Sequence, residues 1–476
     1  MACYNQTNNQ KNAARAAGKG CGAMRLRLRD KRYGIDMLNG PVMPRLLSFA
    51  LPLMLSGMLQ LTFNAADVIV VGRFEGDAAL AAVGAPASLI NLLVNLFLGL
   101  SVGANVVVAQ YCGAGSYRDA SEAVHTSVAL SLVGGVGVGL LGYGLAGTFL
   151  GLMNTPGEVL PLATVYMRVY FLGMPANMLY NFGAAILRAI GDTRRPLAYL
   201  TVAGVVNVAL NLVFVIALHM GVAGVALATI ISQGVSATLV LLCLLRTDGP
   251  VHLDLRRIRL HADKVRRIAK VGLPAGLQGM VFSISNVLIQ STVNSFGKVA
   301  VAGNTTASNV ENYIYVAMNS IYQGAITFTG QNVGAGKYER ISRVARAGLM
   351  AVFGIGATMG GLLMLFKGWL FHIYTSDDAV VAAASIRTGI FAPTYFFCGM
   401  METMVGMLRG MGSSVTPMIV SILGACVLRI VWILLVFPLN PTLEMLYISY
   451  PISWFVTFVA HTVCYLRLKK RLYAPA

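Results

Sequence analysis

The chain has 476 residues, of which 57% are hydrophobic and 11% charged. Its mean hydropathy is +0.70, and its charged fraction is less than half of the about 25% that soluble globular domains carry. Apolar runs such as 197–218 and 222–245 reach the roughly 20 helical residues that cross a bilayer core. The composition excludes an ordinary soluble domain and predicts a polytopic membrane protein.

The net charge of +18, from 36 Lys and Arg against 18 Asp and Glu, would indicate a nucleic-acid partner in a soluble protein. Here most basic residues stand in alternate loops between apolar runs, which is the pattern of cytoplasmic loops. We therefore expect a multi-pass protein of the bacterial inner (plasma) membrane, with both termini in the cytoplasm and no nucleic-acid partner.

Apolar runs bounded by charged residues, Gly and Pro predict about twelve spanning helices. An even number puts both termini on one side, in agreement with the charge pattern. The predicted organisation is a disordered basic cytoplasmic tail over 1–40, a six-helix lobe over 41–245, a cytoplasmic linker over 246–265, a second six-helix lobe over 266–470 and a cytoplasmic tail over 471–476.

The two halves repeat at an offset of 221 residues. Gln110 and Gln331 each begin a Gln-x-x-Gly-Ala-Gly motif, and Arg188 and Arg409 each lie in a Leu-Arg-x-x-Gly motif. Two halves with the same even number of helices have the same orientation, so they are parallel repeats. The predicted fold class is an all-α membrane protein with two lobes around a central cavity, the geometry of alternating-access transporters.

Motifs of enzymes are missing from the sequence. It has no Walker loop, no HExxH and no Cys or His cluster of metal-site spacing. The Gly-x-Ser-x-Gly pattern at Gly99 and Gly103 falls inside an apolar helix, where a hydrolase elbow cannot form. We expect no enzyme, no resident cofactor and no metal beyond a transported Na⁺.

Three acids, Asp67, Glu311 and Glu402, lie within predicted spans. A charge at the bilayer centre costs several kcal/mol, so each is a candidate functional residue. Gln60 and Asn64 precede Asp67 by seven and three residues and share its helix face; both are candidate residues of the substrate cavity. A carboxylate in this setting can exchange a proton or coordinate Na⁺; the alternative is a static ion pair with an intramembrane arginine.

Uncharged oxygen ligands stand in the fourth to sixth predicted spans. Hard cations favour amide and hydroxyl oxygens, although the same side chains commonly form interhelical hydrogen bonds in membranes. These candidate ligands are Asn181, Asn207, Asn211 and Thr229.

Two further groups predict a substrate cavity. Glu311, Tyr315, Met318 and Tyr322 recur at helical spacing and suit a lipophilic organic cation, although such stripes also occur in cores. Glu402 occupies the place of Asn181 under the 221-residue offset and is flanked by polarisable residues, Met401 among them; the alternative is an ion pair between Glu402 and Arg409.

A Leu-Pro pair at Pro52 recurs at Pro274, one residue off the 221-residue register. These prolines are expected to open the first helix of each half. There a missing N–H permits bending, so both are candidate hinges, although prolines at helix starts also occur for steric reasons.

Over about 38–468 the sequence resembles multidrug and toxic compound extrusion (MATE) transporters, and among them the MepA-like bacterial group. The resemblance lies in the segment 51–57, in the segment 64–73 and in the paired motifs at Gln110, Gln331, Arg188 and Arg409.

This resemblance implies export of lipophilic cations in exchange for H⁺ or Na⁺, with a first-lobe cation site that maps onto Asp67, Asn181, Asn207 and Thr229. Some members have Asp where this chain has Asn211. A single carboxylate gives a Na⁺ site less charge and leaves proton coupling open.

The function predicted from the sequence is secondary active multidrug export, with small organic cations and the bilayer as partners of a monomeric chain. One alternative is a flippase for lipid-linked precursors, which needs a basic cavity; the deep residues are expected to be the three acids against Arg429, with Arg168 and Arg387 nearer the outer ends. The other alternative is a passive channel or receptor.

Overall fold

The computed structural model describes residues 34–153 and 155–473. Most of the predicted basic tail over 1–40 and the last three residues of the predicted tail over 471–476 lie outside this part. Within it the chain folds into helices joined by short loops, without a strand.

The first half contains eight helices in the described part. They are α1 (Val42–Phe74), α2 (Gly76–Gly84), α3 (Ala87–Gly113), α4 (Tyr117–Leu152), α5 (Leu160–Leu172), α6 (Met174–Ala189), α7 (Arg194–Ala217) and α8 (Gly221–Arg246). A loop over 247–261, with one short 3-10 turn, connects the halves.

The second half follows the same order. Its described helices are α9 (Ala262–Asn294), α10 (Lys298–Gly334), α11 (Tyr338–His372), α12 (Asp378–Phe391), α13 (Tyr395–Gly410), α14 (Val415–Leu439) and α15 (Leu443–Tyr473). We call the end of the bundle that holds the 247–261 loop the linker end.

Among the described residues, nine helices are long and apolar enough to cross a membrane, or ten if α12 and α13, bent by 52°, form one span. Helix α10 is long enough but less apolar, because Asn, Ser, Thr and Glu311 occur along it. Counting α10, and α5 with α6 as one crossing interrupted at Gly173, gives the predicted twelve crossings in the predicted order.

The repeated motifs end helices in the same way in both halves. Gly115 and Gly336, at the ends of the Gln-x-x-Gly-Ala-Gly motifs, have φ of 69° and 66°. Gly191 and Gly412, at the ends of the Leu-Arg-x-x-Gly motifs, have φ of 89° and 84°. Glycine adopts this left-handed conformation without steric cost, which explains its place in each motif.

Two helices depart from regular α geometry. Helix α7 ends in a π-helical turn over Leu212–Ala217. Helix α14 contains two π-helical turns, over Ile422–Val427 and Trp432–Val436. Such turns are often found at functional sites, and in this chain both helices contribute side chains to cavities.

The lobes meet through helices that cross from one half to the other. The start of α1 packs in the core of the second half, where the Phe49 ring meets Phe328 edge-on at 5.8 Å between centroids. Helices α3 and α9 lie backbone to backbone: a Cβ added at Gly272 would lie 2.6 Å from the Leu100 Cα. Small residues permit this approach between membrane helices, and Gly99 lies in the same contact.

Candidate functional site

A cavity of about 360 Å³ lies within the first lobe, between α1, α6, α7 and α8, with α10 of the second lobe on one side. Of the predicted residues, it is lined by Gln60, Asn64, Asp67, Asn181, Asn207 and Thr229. The structure therefore brings the candidate cation ligands of four helices into one space, together with the two polar residues of α1 that were predicted for the substrate cavity.

Asp67 is held by Asn211, whose side-chain amide donates to the Asp67 carboxylate. The same amide lies 3.5 Å from the Asn207 Oδ1. Among the described residues no lysine or arginine lies within ion-pair distance of Asp67, so the alternative of a static ion pair is not realised.

Oxygen atoms in and next to this first-lobe cavity remain free for a cation. The predicted ligand Asn211 does not line the cavity but is buried against Asp67, and its Oδ1 has no hydrogen-bond partner in the described part of the chain. The Thr229 hydroxyl donates to the Val225 carbonyl at 2.9 Å, and the Asn181 amide donates to Asn177 at 2.9–3.0 Å, both within their own helices. These hydrogen bonds occupy the N–H and O–H donors of Asn181 and Thr229. The lone pairs of the side-chain oxygens therefore stay available to coordinate a hard cation.

A second, larger cavity of about 680 Å³ lies between the second lobe and α3. Its walls include Glu311, Tyr315, Tyr322, Met401 and Glu402 from the predicted substrate set. Met318 does not line it: that side chain is buried in the core of the second lobe against Gly399, because its position on α10 faces α13.

Glu311 does not offer a free charge. Its Oε2 accepts from Nη2 and Nε of Arg387 at 2.9 and 3.0 Å, and its Oε1 accepts from the Thr388 hydroxyl at 3.2 Å. Arg387 also donates to the Asn304 Oδ1 at 2.5 Å. This buried pair is neutral as a unit.

Glu402 differs from Glu311. It lines the larger cavity and has no hydrogen bond or ion pair to any described residue. Arg409, the alternative partner predicted for it, instead donates to the Tyr322 hydroxyl and to the Gln278 Oε1, the latter at 2.9 Å. The alternative of a Glu402–Arg409 pair is therefore not realised among the described residues.

The expected excess of acid in the larger cavity is wrong. Its charged lining residues are three arginines, Arg387, Arg409 and Arg429, against Glu311 and Glu402, which leaves one positive charge. The sequence places Arg387 towards an outer end and offers Arg409 only as an alternative ion-pair partner of Glu402. Sequence reasoning could not find that all three arginines line one cavity, because this depends on how α12, α13 and α14 pack.

The two prolines lie inside helices and do not open them. Pro52 is within α1, which begins at Val42, and Pro274 is within α9, which begins at Ala262. Each removes one helical N–H bond from the middle of a long helix. The hinge hypothesis remains a prediction.

The comparisons with known proteins agree with this geometry. The family model MatE matches residues 52–213 and again 274–435, which together are more than half of the chain. The chain belongs to the MATE family. Its members are transporters, so this is a multi-pass membrane transporter.

Two named relatives align with most of this MATE chain. The chain is 28% identical to the probable multidrug resistance protein YpnP of Bacillus subtilis over 394 residues, and this alignment covers 83% of this chain and 88% of YpnP. It is 21% identical over 401 residues to the multidrug export protein MepA of Staphylococcus aureus, again 83% and 88%.

The fold matches a solved structure, the outward-facing conformation of a multidrug resistance MATE family transporter. The TM-score is 0.87 at 23% identity, and the match covers 93% of this chain and 99% of that one. Together with the two family matches, this likeness identifies the MATE fold with its two repeated lobes.

Proposed function

We propose that this chain is a secondary active exporter that moves lipophilic organic compounds, cations among them, out of the cell in exchange for H⁺ or Na⁺. The main observation in support of the proposal is the environment of the Asp67 side chain. Its carboxylate lies in a cavity of the first lobe among amide and hydroxyl oxygens, with Asn211 as its partner and no ion pair to a described residue. A carboxylate in this position can bind and release a cation.

The coupling ion is cargo, and the chain needs no resident cofactor. Either a proton or Na⁺ neutralises Asp67, and Na⁺ would also meet the free oxygens of Asn211, Asn181, Asn207 and Thr229. A neutral Asp67 holds Asn211 less tightly, since hydrogen bonds to charged groups are the stronger ones. The contact between α1 and the end of α7 therefore changes with the bound ion.

Ion and substrate act in different cavities that share a wall. Tyr315 and Asn319, both on α10, line the first-lobe cavity and the larger cavity. A rearrangement of the first lobe therefore reaches the substrate space directly. One charge crossing about 100 mV supplies roughly 2.3 kcal/mol, enough for a gradient of about fiftyfold.

The proposed orientation has the termini and the linker end in the cytoplasm of a bacterial inner membrane, because the basic loops collect there. The lining of the larger cavity follows α9 from Ala275 to Val293, one residue before that helix ends at Asn294. The cavity thus extends towards the side opposite the linker end, and the described state would release substrate outward.

A cationic substrate would meet Glu402, the unpaired carboxylate of the larger cavity, next to Met401 and aromatic rings. A second candidate function is a flippase for lipid-linked precursors, and the observation in its favour is the arginine excess of the same cavity.

The test uses inverted membrane vesicles with the full chain, energised separately by a pH gradient and by a Na⁺ gradient. Accumulation of ethidium under one gradient, and none in vesicles without the protein, is the expected result. Absence of uptake under both gradients would overturn antiport. Translocation of a lipid-linked pyrophosphate without dye uptake would favour the flippase.

A further inference from the structure

We propose that the larger cavity contains an anion subsite formed by Arg429 and Arg409, which receives the carboxylate, sulfonate or phosphate of an aromatic compound. The inference rests on the proposed function and names a substrate class for it. Compounds that also carry a positive group, and so engage Glu402, would be held at both charges.

Arg429 is the centre of this subsite. Its side chain is buried, with 3% of its surface exposed, and it lines the cavity. Its Nε donates to the Ser453 hydroxyl at 2.8 Å, and its guanidinium carbon lies 4.0 Å from the centre of the Tyr450 ring. The remaining N–H donors have no hydrogen-bond partner among the described residues, and no described carboxylate pairs with the group.

Arg409 is the second cation. It is also buried, and its two hydrogen bonds go to uncharged acceptors, the Tyr322 hydroxyl and the Gln278 amide oxygen. Its Nε is buried without a partner in the described part. These contacts orient the guanidinium group but leave its charge uncompensated.

The charged residues that line the larger cavity leave one positive charge without a counter-ion. Arg387 is neutralised by Glu311 at 2.9 Å, which leaves Arg409 and Arg429 against Glu402 alone. A buried charge without a counter-ion is costly inside a membrane protein. A ligand that brings a negative group therefore gains binding energy that a purely cationic ligand does not.

The repeat indicates that the second lobe is specialised at this point. The two family matches begin at residues 52 and 274 and end at residues 213 and 435, so they are offset by 222 residues. The central motifs are offset by 221 residues, whereas the matches are offset by 222 residues at both ends, the later end lying beyond the π-helical turn over Ile422–Val427. In the 222-residue register Arg429 takes the place of Asn207.

The same 222-residue register also shows that equivalent positions in the two lobes carry different side chains. Asp67 corresponds to Ile289, which lines the larger cavity. The first lobe thus has a carboxylate and amides where the second has an aliphatic side chain and an arginine. The charged residues that line the first-lobe cavity, Asp67 and Arg188, balance each other, whereas those of the larger cavity leave one positive charge for an anion to neutralise.

Aromatic side chains next to Arg429 select the shape of the ligand. The Trp454 ring lies 5.7 Å from Tyr450 and 5.2 Å from Phe391, between centroids. All three line the cavity. Flat rings stack in such surroundings, so the anionic group is expected on an aromatic compound and not on an isoprenoid chain.

The experiment compares rhodamine B, which has a free carboxylate, with its ethyl ester, which has the same ring system and positive charge. Binding of each dye to the purified full chain in detergent is measured by fluorescence polarisation. Wild-type protein should bind the acid about tenfold more tightly than the ester, because hydrogen bonds to a charged group are strong. Arg429→Gln should remove this preference by weakening the acid alone, and Arg429→Lys should keep part of it.

The matched control is Arg168→Gln, which removes an exposed arginine of α5 that lies over the Tyr143 ring at 5.5 Å and lines neither cavity. It should leave both affinities unchanged. Equal binding of acid and ester by the wild type would overturn the proposal even if Arg429→Gln fails to fold, and equal weakening of both dyes by Arg429→Gln would do so as well.

A competition arm separates two sources of the anion. Naphthoate should displace rhodamine B more effectively than farnesyl pyrophosphate does; the reverse order would assign the subsite to isoprenoid anions and overturn the aromatic class. These assays need no ion gradient. Tight binding of the acid without gradient-driven transport would therefore reject antiport while leaving the anion subsite intact.

Discussion

Gln110 and Gln331 close the linker end of the molecule by reciprocal hydrogen bonds between the lobes. The Gln110 amide donates to the Gly410 carbonyl at 3.0 Å, and the Gln331 amide donates to the Ala189 carbonyl at 2.7 Å. Donors and acceptors are both related by the 221-residue repeat. Each Gln-x-x-Gly-Ala-Gly motif thus binds the Leu-Arg-x-x-Gly motif of the opposite lobe.

These two bonds must break if the cavity is to open at the linker end. Each is worth about 0.5–1.5 kcal/mol, so Gln110→Ala with Gln331→Ala should shift the balance of states by about 1–3 kcal/mol, roughly 5- to 150-fold. Distances between spin labels across the linker end, measured by pulsed electron paramagnetic resonance, should show a new open population. Gln290→Ala, whose bonds to Asn294 and Asn304 stay within the second half, is the control and should not.

Asp67→Asn should abolish gradient-driven efflux and drug resistance in an efflux-deficient host while expression is retained. The amide keeps the size of the side chain and a contact with Asn211, but it carries no charge for a cation to neutralise. Asp378→Asn, at a side chain that is 94% exposed, should leave resistance unchanged. Resistance retained by Asp67→Asn would remove Asp67 from ion coupling.

The residues around Asp67 were predictable because their arrangement is local. The spacing of Gln60, Asn64 and Asp67 on one helix fixes a common face. The repeat motifs were likewise readable, since their glycines are required by left-handed backbone at helix ends. Both features follow from the nearest turns of the chain.

The charge of the larger cavity was not predictable in the same way. Glu311 and Arg387 are 76 residues apart, and only the packing of α10 against α12 shows that they pair. The direction of Arg429 depends on the π-helical turns before and after it, for which the sequence gives no clear signal. Counting acidic residues along the sequence therefore predicted a negative net charge for the cavity, whereas its lining residues carry a positive one.

Asn211→Asp should increase affinity for Na⁺ by about tenfold or more, because it gives the site a second carboxylate and cation affinity rises with ligand charge. Titration calorimetry with NaCl, against a choline chloride background, measures this change on the purified chain. Asn95→Asp is the matched control, since it adds the same charge to the larger cavity, where Asn95 bonds to Ser283. Unchanged Na⁺ affinity in Asn211→Asp would argue that the first-lobe oxygens do not act as a Na⁺ site.

Glu311→Gln tests whether Glu311 is a structural partner or a substrate ligand. The sequence predicts that this variant weakens efflux of cationic dyes more than of neutral ones. The ion pair with Arg387 predicts a different result: the substitution leaves a buried guanidinium group without a carboxylate, at a cost of about 3–5 kcal/mol. The apparent Tm in detergent should fall, and transport of all dyes should fall with it.

The matched double variant separates these outcomes. Glu311→Met with Arg387→Met removes both charges and should recover most of the lost Tm, because apolar replacement of a buried ion pair is often neutral or stabilising. Glu402→Gln, which breaks no ion pair among the described residues, should leave the Tm unchanged and weaken cationic dyes selectively. The contrary result is a Glu311→Gln protein that keeps a normal Tm and loses transport of cationic dyes only. That result would show that Glu311 binds substrate and that its ion pair with Arg387 contributes little to stability.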